Sequence, residues 1–525
     1  MKYFFKKKYT ALTWAWLILI SLLAVMKIAP EGLNADILIN SVMSLQKVTL
    51  YYWGQNRLLN ILPLAVALLK NPTLNLAAIL VLTSITFYGF LYFVSRAAVN
   101  IVEEKNKSQI TFKVFLIISS AFVFVFVFTP NGISEITIGH IEYSFPALLI
   151  IFAWSRIFPG RIFIGDWKLL ILPGAAIILA VGVNPSSIIP IYFAAVATAF
   201  YNKRVRSNEI ALLLISGVSF FAWSLVSRLH GSTSYNEFKL EIIGVGIQKV
   251  VGNFLGAINL DAIFILIAVF SIAGILSVVQ KSNEILDRKP VVTYITCSVI
   301  LFSVVWLFLF SSSRYVELNQ FHWRYFIYVV FSLVFLCALH LSNLLKYLDV
   351  NKSMSLAAVW AISAVIFLAT PVARLNFDDY KVFQRVDALT APGGHLYSGD
   401  YWVVWPSVLR DMMNGYEAYG LTLRGEANKE AAREYALRVI KDNGSAIVYC
   451  LNDTVQNCIA QVNSVAGPLH AVESKYIKDQ VSIIKFVEQA SFLDLSGANF
   501  LNLPSQVGVV KNSGKITDSR AGLLV

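Results

Sequence analysis

Four short stretches of this sequence hold side chains equipped for chemistry, and each lies beside a long apolar run rather than inside it. The first is Glu31 to Pro63, EGLNADILINSVMSLQKVTLYYWGQNRLLNILP, which carries Glu31, Asp36, Trp53, Gln55, Asn56 and Arg57. TPNGISEITIGHIEYS supplies Glu135, His140 and Glu142, and SSSRYVELNQFHWRYF supplies Arg314, Glu317 and Arg324. SGDYWVVW adds Asp400, Tyr401 and Trp402. A carboxylate can take the proton of an attacking hydroxyl. Guanidinium groups hold phosphate oxygens as negative charge builds on them. With aromatic faces to stack on sugar rings, these parts suit transfer of a sugar from a phosphate leaving group, a reaction that needs no ATP.

Every member has a plainer reading. Asp36 can cap a helix that starts at Ile37, and Arg57 can be a snorkelling interfacial anchor. Glu135, His140 and Glu142 can belong to a hydrated loop. Arg314 and Arg324 can be ordinary span-end cations, while Trp402 and Trp405 can be buried packing residues. The sequence has no phosphate-binding P-loop, no HExxH, no CxxC pair and no dinucleotide fingerprint after a strand. His140 has no second His or Cys at ligand spacing, so no metal or other cofactor is expected.

The elements that must position these groups follow from composition. Of 525 residues, 57% are hydrophobic and 14% charged, with a mean hydropathy of +0.65; soluble chains carry about 25% charged residues. A polytopic α-helical membrane protein is implied. Apolar windows long enough for about 30 Å of hydrocarbon fall at 11–28, 79–98, 112–129, 143–158, 168–183, 187–201, 209–227, 261–280, 291–311, 325–343 and 354–372.

Charge supports this layout, because cytoplasmic loops collect Lys and Arg. With MKYFFKKK inside, Arg96/Lys105/Lys107, Arg156/Arg161/Lys168, Lys203/Arg204/Arg206, Lys281/Arg288/Lys289 and Lys346/Lys352 all fall inside too. The loops at Thr129–Glu142 and Gly182–Pro185 carry neither and fall outside. About eleven spans, N-terminus in and C-terminus out, satisfy both patterns. Topology thus accounts for the net charge of +12, and no nucleic-acid partner is needed. The first helix reads as a retained span, since no small-residue cleavage site follows it.

Residues 1–373 are expected to form the membrane domain and 374–525 an extracytoplasmic α/β domain. The outer segment 29–78 has Ile37, Leu38, Val42 and Leu45 on one side and Asn40, Ser44 and Gln46 on the other, which predicts an amphipathic helix lying at the interface. Arg228 to Leu260 shows a similar alternation. In the tail, GHLYSG, GSAIVYCL and QVSIIKFVE read as strands, and WPSVLRDMMN and NKEAAREYALRVIKDN as helices. Cys450 and Cys458 are placed to form a disulfide if this domain lies in an oxidising compartment.

The segment ADILINSVMSLQKVTLYYWGQNRLLNILP, with the layout of the whole chain, resembles the polytopic glycosyltransferases of the GT-C fold. The serotype-converting glucosyltransferases, bacterial enzymes that decorate O-antigen with undecaprenyl-phosphate sugars, are the nearest comparison. SGDYWVVWPSVLRDMMNGYEAYGLTLRGE carries a fainter likeness. The resemblance implies an acidic residue in the first outer loop, a position Asp36 fits, with Glu31 as the other nearby carboxylate. It further implies a polyprenyl-phosphate-linked sugar donor held in membrane lipid, a surface polysaccharide or lipid-linked acceptor, and inversion at the anomeric carbon. A bacterial inner-membrane location with the C-terminal domain outside is expected. The rival readings are a polysaccharide flippase or transporter, which needs a polar path through the spans, an O-antigen ligase or polymerase using a diphosphate-linked donor, and a non-catalytic assembly or receptor protein.

Overall fold

The first apolar run folds as one helix, Lys2–Gly32, whose Ile18, Leu19 and Leu22 stay exposed while Trp16, Ile20 and Ala24 are buried. A helix that shows apolar side chains to its surroundings over this length suits lipid better than water. The computed structural model describes residues 2–54, 59–102, 107–124, 130–157, 168–201, 207–229, 238–257, 289–347, 376–390, 393, 395–466, 469–478 and 481–488. Among these, Tyr9–Gly32, Pro72–Val102, Leu240–Ala257, Val292–Ser311 and Trp323–Asn343 are long and apolar enough to cross a membrane. A sixth candidate is the bent pair Gly132–Gly139 and Ile141–Arg156. The chain is therefore a multi-pass membrane protein.

Nine sequence windows centre on helices, including Ile141–Ile157, Lys168–Val183 and Ile188–Tyr201 in the crowded stretch between 143 and 201. The windows at 261–280 and 354–372 lie outside the described residues. Within Arg228 to Leu260, read from sequence as interfacial, the structure forms a helix at Ile243–Ala257 that is apolar enough to span.

The outer segment differs from the expected interfacial helix. Asn34, not Asp36, caps Ala35–Leu45, its Oδ1 accepting from the Ile37 amide at 3.2 Å. Both sides of this helix are buried, because the tail helix Tyr401–Met413 packs over it. Its polar side chains are satisfied internally, as buried polar groups must be. Ser41 and Ser44 donate to Asn75 Oδ1 at 2.8 and 2.9 Å, and Asn75 Nδ2 donates to the carbonyls of Val66 and Leu69 at 3.2 and 2.9 Å. Gln46 reaches the tail, donating to the Ala418 carbonyl at 2.7 Å and accepting from Asn428 at 2.8 Å.

The tail forms a five-stranded sheet from β1 (Leu396–Gly399), β2 (Tyr419–Gly420), β3 (Ala446–Leu451), β4 (Leu469–Lys478) and β5 (Val481–Glu488), in the order β2-β1-β3-β5-β4. β1 is parallel to β2 and β3, whereas β5 is antiparallel to both β3 and β4. The three strands expected from sequence fall on β1, β3 and β5, and the two expected helices fall on Tyr401–Met413 and Lys429–Asn443. Pro504 to Val525 lies outside the described residues. Cys450, at the end of β3, is disulfide-bonded to Cys458 in the helix Val455–Ala466.

One buried apolar cluster runs without interruption from Trp16 in the first helix to Tyr401, Val404, Trp405 and Val481 in the tail. The tail is thus packed into the membrane helices through a common core. A second cluster lies between the sheet and the helices Lys429–Asn443 and Val455–Ala466.

Candidate functional site

Asp36 occupies the first turn of Ala35–Leu45, where its carboxylate is mostly buried at 13% side-chain exposure. Oδ2 accepts from Arg324 Nη1 at 2.8 Å. Oδ1 accepts from the Tyr401 hydroxyl at 2.7 Å and from Arg424 Nη1 at 3.4 Å. Arg424 also donates to the hydroxyls of Tyr401 at 2.7 Å and Tyr52 at 3.0 Å. Its guanidinium lies over both rings, 4.8 Å from the Tyr401 centroid and 4.9 Å from that of Tyr52. Cation–π attraction therefore adds to the ion pair. Arg324 makes further bonds to the Tyr325 hydroxyl at 3.2 Å and Asn319 Oδ1 at 3.4 Å.

Local geometry explains how these side chains meet. Gly399 ends β1 at φ +113, where a Cβ would come within 2.2 Å of the Leu451 carbonyl oxygen. Only glycine fits there. Asp400 then caps the following helix, accepting from the Trp402 amide at 3.0 Å and from Asn452 Nδ2 at 2.8 Å. Tyr401 is left in the first helical turn, aimed at Asp36. Arg424 itself is held at φ 77, an uncommon backbone state for a non-glycine residue and one that clusters at functional sites. Arg324 lies in a tight turn after Gln320 and Phe321, both at φ 54, whose carbonyls accept from Asn253 at 3.2 and 3.0 Å.

Burial would raise the Asp36 carboxyl, but Arg424, Arg324 and the Tyr401 hydrogen bond outweigh it and hold it at about 2. Burial would lower the Arg424 guanidinium, yet Tyr401, Tyr52 and Asp36 hold it above its ordinary value. Burial pushes the Tyr401 hydroxyl well up. His322 is driven down to about 3 by burial and by the charge of Arg324, so it is neutral near pH 7. His322 Nε2 stands 3.5 Å from Glu135 Oε1, and His140 Nδ1 stands 3.0 Å from Glu142 Oε1.

Of the residues singled out from sequence, Arg324 and Tyr401 converge on Asp36, with Glu135, His140 and Glu142 alongside. Others take different places. Glu31 pairs with Lys381 at 3.2 Å on the half-exposed surface, and Arg314 pairs with Glu317. Trp53 is buried edge-on against Trp405, donating to the Lys47 carbonyl at 3.2 Å. Trp402 packs edge-on against Tyr401 with centroids 5.3 Å apart. Gln55, Asn56 and Arg57 lie outside the described residues. Arg424, Tyr52, Tyr325 and His322 were not among the sequence candidates. For Arg424 the available signal was the Arg-Gly pair in LTLRGE, an arginine in a turn beside an aromatic-rich helix.

A cavity of 180 Å³ lies among the helices, lined by Phe90, Trp154, Phe193, Phe302, Tyr328 and Phe331 among others. It adjoins the polar cluster through Tyr328, which packs edge-on against Tyr143 at 5.6 Å and bonds to Ser187 at 2.7 Å.

No protein-family model matches this chain, and no curated protein is similar to it in sequence. Among solved structures, the chain is similar to ArnT from Cupriavidus metallidurans bound to undecaprenyl phosphate, with a TM-score of 0.47 at 10% identity. That alignment covers 91% of this chain and 98% of that one. ArnT in the apo state gives a TM-score of 0.46 at 10% identity over the same shares.

Proposed function

We propose that this chain is a membrane glycosyltransferase of the GT-C type. It moves a sugar from a polyprenyl-phosphate donor to a hydroxyl of a surface polysaccharide or its lipid-linked precursor, as in O-antigen modification, with inversion at the anomeric carbon. The observation that carries this reading is the sharing of one carboxylate, Asp36, between the two guanidiniums of Arg324 and Arg424, with Tyr401 as a third donor. Such a cluster has the donors a phosphate requires and a carboxylate beside them.

A carboxylate at about 2 is a weak base. Entry of the donor phosphate supplies a competing anion for the same guanidiniums, and each hydrogen bond that passes to the phosphate leaves an Asp36 oxygen free. The carboxylate then gains proton affinity in the complex where the acceptor hydroxyl must lose its proton. Arg324 and Arg424 meanwhile stabilise the departing phosphate. The aromatic-lined cavity beside Tyr328 is suited to part of the donor's hydrocarbon chain.

The test is transfer by the full-length protein in membranes, using polyprenyl-phosphate-linked sugars as donors, with chemical analysis of surface glycan from cells with and without the gene. Labelled sugar is expected on the acceptor, and one side-branch sugar is expected to vanish with the gene. An unchanged glycan, together with failure of any polyprenyl-phosphate sugar to serve as donor, would refute the reading.

A further inference from the structure

The helical stretch from Pro130 to Ile157 is broken beside the site. Pro130–Ser134 continues into a π-helical turn, Glu135–Gly139, and Gly132–Gly139 meets Ile141–Arg156 at 63° with His140 at the joint. Broken helices at membrane depth persist where they are covered by protein or line a polar cavity, and π turns recur at functional sites. Asn184 braces the joint, its Nδ2 donating to the Glu142 carbonyl at 3.0 Å. His140 lies within electrostatic reach of both Asp36 and Glu135.

Two atoms at this joint, Glu135 Oε2 and His140 Nε2, are buried without a hydrogen-bond partner among the described residues. Their chemistry is the same. Glu142 as a carboxylate only accepts, so the proton in the 3.0 Å contact with Glu142 Oε1 sits on His140 Nδ1, and Nε2 of that tautomer is an acceptor. A carboxylate oxygen accepts as well. Two buried unfilled acceptors are costly to the fold; they repel a phosphate and attract hydroxyl groups. Among the described residues no three His, Cys, Asp or Glu side chains converge as a metal site requires, so their hydrogen-bonding capacity is the property that remains.

We infer that the joint at His140 is a sugar-hydroxyl subsite, in which Glu135 Oε2 and His140 Nε2 accept hydrogen bonds from ring hydroxyls of a sugar bound beside Asp36. This inference rests on the sugar-transfer reading and divides its labour: the arginines hold phosphate, and the broken helix reads the sugar. The hydroxyls belong either to the donor's transferred sugar or to the acceptor.

Glu135→Gln and His140→Gln in the full-length protein, reconstituted in lipid, provide the test. Thermal unfolding confirms that each variant folds. KM is measured separately for a polyprenyl-phosphate sugar and for the acceptor, and inhibition by sugar-free polyprenyl phosphate is measured alongside. Each variant is expected to raise one KM about tenfold or more while inhibition by the sugar-free lipid stays unchanged, since lost hydroxyl contacts do not touch the phosphate. A rise in donor KM assigns the hydroxyls to the transferred sugar, and a rise in acceptor KM assigns them to the acceptor. Both KM values remaining within about twofold of the parent, or an equal loss of sugar-free lipid inhibition, would overturn the inference. Failure of the broader reading looks different: the sugar-free lipid would not inhibit the parent protein, or would inhibit Arg424→Ala equally well.

Discussion

Replacing Asp36 by Asn keeps the shape of the side chain and removes its charge, leaving Arg324 and Arg424 without their shared carboxylate. The depression of the Asp36 carboxyl from an ordinary 3.8 to about 2 corresponds to about 2 kcal/mol of favourable interaction with the charged form. Because the folded value lies below the unfolded one, that stability is fully present above pH 3.8 and is lost as pH falls through about 2. Between about pH 5 and 8 the contribution is constant. Asp36→Asn is therefore expected to lose about 2 kcal/mol of stability, a gap that does not change across this range. Heat denaturation of both proteins in lipid nanodiscs over a pH series measures it. Sugar transfer by the folded variant should fall by about 10²–10⁴, the usual share of a general base. Equal unfolding temperatures at every pH would show that Asp36 does not hold the two arginines in the membrane-embedded protein. A gap that opens or closes between about pH 6 and 8 would mean that another group titrates with it.

Substitutions at four further places separate the site from its scaffold. Arg424→Lys keeps the charge but not the planar fork between Tyr52 and Tyr401, and transfer rates should fall about tenfold or more; Arg424→Gly relieves the positive φ but removes the ion pair to Asp36, and should abolish transfer and lower the unfolding temperature. Tyr401→Phe removes the hydrogen bonds to Asp36 and from Arg424 and should cost about 1–3 kcal/mol in thermal unfolding. Loss of the Cys450–Cys458 bond, by Ala substitution at both positions or by reductant, should destabilise the tail by about 2–3 kcal/mol, visible as faster limited proteolysis of the sheet region. Gly399→Ala forces a Cβ against the Leu451 carbonyl at positive φ, and should lower stability by more than about 2 kcal/mol and transfer with it. Full stability in that variant would show that β1 and β3 can separate without loss.

Much of the fold was legible in the sequence because the bilayer imposes a local rule. A helix that must cover hydrocarbon shows its length in a run such as Pro72–Val102. β3 and β5 were legible for a similar reason, as short runs rich in β-branched residues. β4, LHAVESKYIK, was not, because an edge strand with most side chains exposed has no alternation to read. The helix Ala35–Leu45 misled for the opposite reason. Asn40 and Ser44 look solvent-facing in sequence, and only the packing of Asn75 and Tyr401–Met413 around them makes them interior.

The candidate site divides along the same line. Sequence determined that Asp36 lies in a polar segment between apolar runs, since that depends on neighbours within one helix length. It singled out Arg324 and Tyr401 but could not pair them with Asp36, because Arg324, Tyr401 and Arg424 lie 288, 365 and 388 positions away, beyond any periodicity a chain can display. Tertiary structure alone decided that Asp36 is clamped by two arginines and that the second of them is Arg424. The physical reason is that a buried carboxylate needs counter-charges within hydrogen-bond reach, and only the packing of the tail against the membrane helices, through Gly399 and the left-handed turn at Arg424, could bring the second one there.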